Sequence, residues 1–265
     1  MSAELRVSDP PSAWATRVGV LVVALGLELV LYARPGWSDS CLLSPHHGGM
    51  VFPVEKINRE WACRLQPIVH DYTTTSTVGP VRVALSESMY RYLLDRPPLA
   101  ATLIHRLGFG LYSSEYRGSG RFWGDDGEGT KGIVELVYED ATSRIYFLEG
   151  THKGRLLHHI SGKAVVFLRM NVVRDQVSRE MIDSTLVAYT KLDNRLLSGL
   201  VSLLRPLIGG IAGGKLKKGV ETVNRLGMAM RQQPDRVLSK AIEPPALSDA
   251  DVAFMRQALG SLPAP

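Results

Sequence analysis

The sequence contains only two cysteines, Cys41 and Cys63, among its 265 residues. Two thiolates alone cannot form a tetrahedral zinc site, which excludes a zinc centre built only from cysteine. In an oxidising compartment the two residues are expected to form one disulfide, whereas in a reducing compartment they stay free thiols. The sequence alone leaves both alternatives open.

Several other functional signatures are missing as well. The chain has no internal repeat, no long run of like charge and no basic-aromatic pattern of the RNA-binding type. Its net charge of +5 is compatible with an anionic membrane surface and is too small to indicate a nucleic-acid partner. A Gly-x-Ser-x-Gly elbow is absent, so a nucleophilic hydrolase has no support. We therefore predict no nucleic-acid partner and no cofactor.

What the chain does contain is an ordinary globular composition, with 45% hydrophobic and 22% charged residues. Its segment Trp14–Ala33 is about long enough for a membrane helix, and beyond Arg17 its only charge is Glu28. A secretory signal peptide and a buried core helix are the alternatives, but no small-x-small cleavage site follows the segment. We favour an uncleaved single-pass anchor. Arg6 and Arg17 precede it, which favours an extracytoplasmic position for the main domain.

The main domain is predicted to start near residue 78. Ser86 is a suitable N-cap for a short helix, a second helical segment ends at Gly108, and the apolar period then changes from helical to alternating. The strands predicted from this alternation are 132–139, 144–152, 162–175 and 184–191. Their short connections favour an antiparallel meander. The remaining chain is assigned to an N-terminal tail and anchor (1–35), a connector (36–77), the domain itself (78–240) and a C-terminal tail (241–265).

The segment Leu192–Arg231 has the apolar spacing of a long helix with one broad apolar face. Pro206 and the glycine pairs 209–210 and 213–214 interrupt this spacing. Proline removes a helix hydrogen bond and glycine costs about 1 kcal/mol relative to alanine. We therefore expect a kink or a break in this helix.

A strand, two short helices, a run of antiparallel strands and a long C-terminal helix follow one another between Val78 and Gln233. This order resembles the START/Bet v 1-like (SRPBCC, helix-grip) superfamily. The resemblance implies an α+β fold in which an antiparallel curved β-sheet wraps around the long C-terminal helix, here preceded by an N-terminal transmembrane helix. It also implies a hydrophobic cavity for lipids, sterols or polyketides. The interruption at residues 206–214 departs from the family pattern.

The candidate cavity residues are the apolar and aromatic side chains expected to face one another across the sheet and the helix. They are Tyr112, Tyr138, Leu148, Met170, Leu200 and Leu204. The expected function is membrane-anchored binding or transfer of a hydrophobic small molecule, with Lys215–Lys218 resting on anionic membrane lipids. One alternative is a structural or assembly protein of the cell envelope with a filled core. Another is a cyclase-type enzyme that uses Tyr138 with Arg169 or His152.

Three further motifs are assigned no chemistry. The stretch from Gly209 to Lys215 matches most of a phosphate-binding loop, but Leu216 stands where that motif needs Ser or Thr. The acidic turn 125–129 has too few alternating ligands for a calcium loop and is predicted to be a solvated hairpin loop. The three histidines His152, His158 and His159 have no acidic or cysteine neighbour and are predicted to be surface residues.

Overall fold

The computed structural model describes residues 41–154, 159–176, 178–193 and 201–260, with the side chains of residues 201–208 excepted. The predicted membrane anchor, Trp14–Ala33, lies outside these ranges and stays a prediction. Within the ranges, no helix combines the length and the apolar character that crossing a bilayer requires.

Seven antiparallel strands form one sheet. They are β3 (Thr74–Val83), β4 (Ser113–Tyr116), β5 (Arg121–Asp125), β6 (Thr130–Glu139), β7 (Ser143–His152), β8 (Ile160–Arg174) and β9 (Glu180–Leu192). Their order across the sheet is β3-β9-β8-β7-β6-β5-β4. The predicted antiparallel meander is confirmed for β4 to β9, and the first long strand, β3, pairs with the last one, β9. A separate small hairpin consists of β1 (His46–His47) and β2 (Met50–Val51).

Six α-helices accompany the sheet within the described ranges. They are α1 (Arg59–His70), α2 (Glu87–Asp95), α3 (Pro97–Arg106), α4 (Val201–Gln232), α5 (Pro234–Ile242) and α6 (Asp249–Gly260). The predicted N-cap of α2 is confirmed, because the Ser86 hydroxyl accepts a hydrogen bond from the Met89 amide at 3.3 Å. Pro97 begins α3, at a position where a missing backbone N–H costs nothing. The chain is therefore α+β, with a large curved antiparallel sheet.

Of the expected kink or break in the long helix, the break does not occur, since α4 runs as one helix through Pro206 and both glycine pairs. The reason lies in its packing along β3. A Cβ atom on Gly209 would lie 3.0 Å from the Thr74 hydroxyl, and one on Gly213 would lie 3.2 Å from the Ser76 hydroxyl. Glycine lets the helix backbone come close to the strand, and this close packing offsets the low helix propensity of glycine.

The face of the sheet that packs on α4, here called the inner face, is half covered by a dense apolar core. Side chains from α2 to α6 meet the sheet there, and the fully buried ones include Leu103, Ile182, Leu226, Met230 and Met255. The segment assigned to a C-terminal tail contributes Met255 and Phe254, and the Phe254 ring stacks on Tyr92 at 3.6 Å. Residues 249–260 are thus an integral part of this core.

The opposite, outer face is covered by residues 41–70, which lie within the predicted connector (36–77). Phe52 and Leu65 are buried there against Ile145, Val165 and Phe167 of the sheet. A disulfide joins Cys41 to Cys63, the pair identified from the sequence, and so ties the start of this layer to α1. Both faces of the central strands are consequently buried, which explains why β8 has a nearly continuous apolar sequence.

His47 is the most unusual residue of the outer core, because only 2% of it is exposed. Its ring stacks on Phe167 at 3.9 Å, and its Nδ1 lies 3.1 Å from the Tyr189 hydroxyl. Its Nε2 is buried and has no hydrogen-bond partner among the described atoms. Burial lowers the pKa of His47 from 6.5 to about 4. The folded protein therefore keeps this imidazole neutral where an unfolded chain would protonate it.

We predict that the free energy of unfolding falls as the pH drops from 6.5 to about 4. The unfolded chain takes up a proton at His47 in this window and the folded chain does not, which removes about 3 kcal/mol of stability. Urea titrations at several pH values measure the effect. His47→Phe should abolish this part of the pH dependence of the free energy of unfolding, and the variant of the exposed neighbour, His46→Gln, should retain it. If the free energy of unfolding varied with pH equally in the parent and in His47→Phe, the assignment to His47 would be contradicted.

Candidate functional site

A row of four glycines crosses one end of the sheet. Gly124, Gly132, Gly150 and Gly162 are register partners on β5, β6, β7 and β8. A Cβ atom on Gly132 would lie 2.3 Å from the Glu149 carbonyl oxygen, and one on Gly150 would lie 2.6 Å from the Lys131 carbonyl oxygen. Neighbouring backbones therefore come too close here for any side chain, as at the glycine kinks of strongly curved sheets.

The curvature brings two distant parts of the sheet to the same helix. Helix α4 packs along β3, yet Lys215 of α4 also contacts the loop between β5 and β6. Four strands separate β3 from β5, so the path along the sheet is about 24 Å at a strand spacing of about 4.8 Å. Since α4 meets both ends of this path, the sheet curves around the helix as an arch.

The inner face under this arch carries a strip of apolar side chains outside the dense core. Val134, Leu148 and Ala164 are register partners on β6, β7 and β8, and Leu136 and Val166 lie in the next row. All five are partly exposed, and none belongs to either core cluster formed by the described residues. We call this strip the inner groove; it is an apolar surface that the helix and the hairpin loop overhang.

Charged residues close one side of the inner groove. The Lys215 ammonium lies 2.7 Å from Asp126 Oδ2 and 2.9 Å from Glu128 Oε2, and Lys218 also donates a hydrogen bond to Glu128. Asp126 in addition accepts hydrogen bonds from the Glu128 and Thr130 amides at 2.8 and 2.9 Å. These four residues, Asp126, Glu128, Lys215 and Lys218, form what we call the hairpin latch. The latch fixes the β5–β6 loop against the middle of α4.

The pKa shifts in the latch show that both sides are held in their charged forms. Burial alone raises the pKa of Asp126, but hydrogen bonds from Lys215 and the Thr130 amide outweigh it and lower the pKa below its ordinary value. Hydrogen bonds from Lys218 and Lys215 lower the pKa of Glu128. The pKa of Lys215 is raised by its two carboxylate partners against the effect of burial. The latch is therefore intact at neutral pH and weakens only as the carboxylates become protonated in acid.

The structure places the predicted cavity residues in different environments. Met170 is buried in the inner core and Tyr112 packs at its edge, whereas Leu148 lies in the inner groove. Tyr138 packs against the outer core instead and does not face α4. A β-bulge between Leu136 and Tyr138 causes this change of face, because one extra residue reverses the alternation. Leu200, and the side chain of Leu204, lie outside the described part of the chain.

The residues proposed for an enzymatic pair each have other partners. The Tyr138 hydroxyl donates to Asp140 Oδ2 at 3.0 Å, and Arg169 donates to the Thr142 hydroxyl at 3.0 Å. His152 Nδ1 lies 2.9 Å from the Thr130 hydroxyl. Tyr138 and Arg169 thus belong to one network on the outer face, because the Thr142 hydroxyl also donates to Asp140 Oδ1 at 3.2 Å, whereas His152 bonds elsewhere. Among the described residues, no group of three or more His, Cys, Asp or Glu is placed to hold a metal ion.

The latch was not predicted, because the acidic turn was interpreted as a solvated loop and the lysines were assigned to membrane lipids. One signal was present in the sequence. Lys215 and Lys218 are three residues apart, which places them on one side of a helix, and Asp126 and Glu128 alternate within the hairpin turn. Two cations and two anions with compatible spacing can pair, but only the curvature of the sheet brings them together.

We predict that Lys215→Met releases the β5–β6 loop while the protein stays folded. The pairs are partly exposed, so the loss of stability should be only about 1 kcal/mol. Hydrogen exchange of the Gly127–Thr130 amides should accelerate clearly. Lys217→Met is the matched control, because the exposed Lys217 lies 3.8 Å from Glu221 of its own helix and is not one of the four latch residues. Equal exchange rates in the two variants would show that the latch does not hold the loop.

No protein-family model matches this chain, and no curated protein matches it. Among solved structures, one that matches is described as the crystal structure of a conserved protein from Geobacillus kaustophilus. The match covers 58% of this chain and 93% of that chain, with 12% sequence identity and a TM-score of 0.41. Nothing about the activity of this chain follows from a similarity at that level.

Proposed function

We propose that the protein binds a hydrophobic small molecule, such as a lipid, a sterol or a polyketide-like compound, in the inner groove. The observation that carries this proposal is the arch, since α4 contacts both β3 and the β5–β6 loop and part of the apolar inner face lies outside the dense core. The surface below it is apolar and partly exposed, at Val134, Leu148 and Ala164. Predominantly apolar concave sites of this kind suit lipid-like ligands.

The order of elements supports a helix-grip fold of the START/Bet v 1-like type as part of the same proposal. A first strand that pairs with the last, two short helices after it and a long C-terminal helix across the inner face agree with that architecture. Binding, rather than catalysis, is favoured because the groove residues named above are aliphatic and the candidate enzymatic pairs have other partners. The N-terminal anchor would hold such a binder at a membrane, where hydrophobic ligands are concentrated.

The second candidate is a structural or assembly protein of the cell envelope with a filled core. The observation in its favour is the dense inner core, in which Leu103, Leu226 and Met230 are fully buried. That core occupies the half of the inner face that lies against α2, α3, α5 and α6. The two candidate functions therefore differ in what covers the inner groove: a bound ligand in the first, packed protein side chains in the second.

We predict that Ala164→Trp blocks ligand binding. The indole should fill the inner groove, so the affinity for a fluorescent fatty acid or sterol should fall at least tenfold while thermal stability changes little. Val172→Trp is the matched control, because Val172 lies on the same strand and the same face but is 48% exposed. Fluorescence titration and thermal melting of both variants and the parent measure the two effects.

The structural alternative predicts the opposite pattern. If the space under the arch is packed, Ala164→Trp overpacks it and costs about 1–3 kcal/mol, and the parent has no probe binding to lose. A parent that binds neither probe, together with a strongly destabilised Ala164→Trp variant, would exclude the binding function.

A further inference from the structure

A second recess lies on the outer face of the sheet, beneath α1. Its volume is about 360 Å³, within the range of about 300–1,000 Å³ of small-molecule sites, and it is open to solvent on one side. Its lining includes Arg64, Pro67 and Ile68 from α1 and Phe147, Lys163 and Lys191 from the sheet. We call it the outer pocket. Strand alternation separates it from the inner groove, since Phe147 and Leu148 are neighbours with opposite orientations.

The lining of the outer pocket carries an excess of positive charge. Arg64, Lys163 and Lys191 line it together with a single acidic residue, Asp193. Lys163 and Lys191 are direct register partners on β8 and β9. Like charges directly opposite each other in an antiparallel pair are destabilising unless something compensates them. The arrangement therefore has an electrostatic cost that an anion in the pocket would remove.

The protein's own carboxylates compensate these cations only loosely. Arg64 lies 3.8 Å from Glu135, and Lys163 lies 3.8 Å from Glu149. Lys191 lies 3.4 Å from Asp71 and donates a closer hydrogen bond, 2.9 Å, to the Pro67 carbonyl oxygen. All three ion-pair distances exceed the roughly 2.7–2.9 Å of a strong charge-assisted hydrogen bond. The cations thus keep donor capacity for another acceptor.

The apolar part of the lining indicates what else the ligand contains. The Arg64 guanidinium lies 4.8 Å from the centre of the Phe147 ring and 4.0 Å from that of Trp61, which holds the cation at the mouth of the pocket. Pro67, Ile68, Phe147 and Leu192 supply the apolar part of the lining. A small inorganic anion would fill little of the volume of about 360 Å³, whereas an organic anion with a compact apolar body would use both features.

We propose that the outer pocket is a binding site for a small organic anion, with a carboxylate, phosphate or sulfonate group held by Lys163, Lys191 and Arg64 and a ring-sized apolar body against Phe147 and Ile68. This site is distinct from the inner groove and does not depend on the function proposed for it. Residues 41–70, which supply α1, are what create it, because without them this part of the outer face would be bare.

Isothermal titration calorimetry with naphthalene-2-sulfonate tests the proposal on the full-length chain, with the uncharged naphthalene-2-sulfonamide as the matched ligand. The sulfonate should bind and the sulfonamide should bind at least tenfold more weakly. Lys163→Glu should weaken sulfonate binding at least tenfold, because Lys163 is half exposed and its reversal leaves the core intact. Lys153→Glu is the control for net charge, since Lys153 lies outside the pocket lining, and it should leave the affinity unchanged.

Ala164→Trp separates this site from the inner groove and should leave sulfonate binding unchanged. Loss of sulfonate binding in Ala164→Trp would place the ligand in the groove and overturn the outer-pocket assignment. Equal binding of sulfonate and sulfonamide, equal effects of the Lys163 and Lys153 variants, or no binding to the parent would overturn it as well. A fatty-acid probe that fails to bind the parent affects only the function proposed for the inner groove.

Discussion

The close approach of backbones at Gly132, Gly150 and Gly162 is the constraint on which the rest of the structure depends. It allows the middle strands to curve, and the curvature brings the β5–β6 loop to α4 although α4 lies on β3 at the far edge. Any side chain at Gly132 would meet the Glu149 carbonyl and force the strands apart. A flatter sheet would separate Lys215 from Asp126 and remove the space under the arch.

The glycines of α4 permit a second close approach, between the helix backbone and β3. Gly209 and Gly213 bring the helix backbone to Thr74 and Ser76, which draws α4 towards the edge strand and away from the middle of the sheet. The further half of the helix instead buries Leu226 and Met230 in the dense core. One helix thus makes two kinds of contact: glycines bring it close to β3 around residues 209–213, and large apolar residues of its further half fill the core.

Local sequence patterns predicted the elements well, because each depends on neighbours in the chain. The Ser86 cap, the hairpin of β6 and β7 and the long strand β8 follow from hydroxyl capping and from alternation. Two predictions from the sequence failed for physical reasons. Glycine and proline were expected to kink or break the helix at Pro206–Gly214, whereas the helix is continuous and close packing on β3 offsets the cost of Gly209 and Gly213. The bulge after Leu136 turned Tyr138 to the outer face, and no local pattern marks a single extra residue.

The candidate sites were harder to predict because they depend on contacts between distant residues. Alternation alone indicates that Leu148 and Phe147 face opposite sides of the sheet, but the latch required Asp126 and Lys215, 89 residues apart, to meet. The outer pocket required α1, which was interpreted as part of a connector. The position of α1 on the outer face follows from the burial of Leu65 and Ile68, and the disulfide between Cys41 and Cys63 holds α1 there.

Because of strand alternation, neighbouring residues of the same two strands line the inner groove and the outer pocket. On β7, Leu148 faces the inner groove and Phe147 the outer pocket; on β8, Ala164 and Lys163 do the same. A slip of one residue in β8 would put a lysine into the apolar groove and an alanine into the cationic pocket, and a slip in β7 would exchange the faces of Phe147 and Leu148. The register of β7 and β8 is therefore fixed from both faces at once, by apolar burial inside and by charge outside. The same pair of strands defines the apolar character of one site and the cationic character of the other.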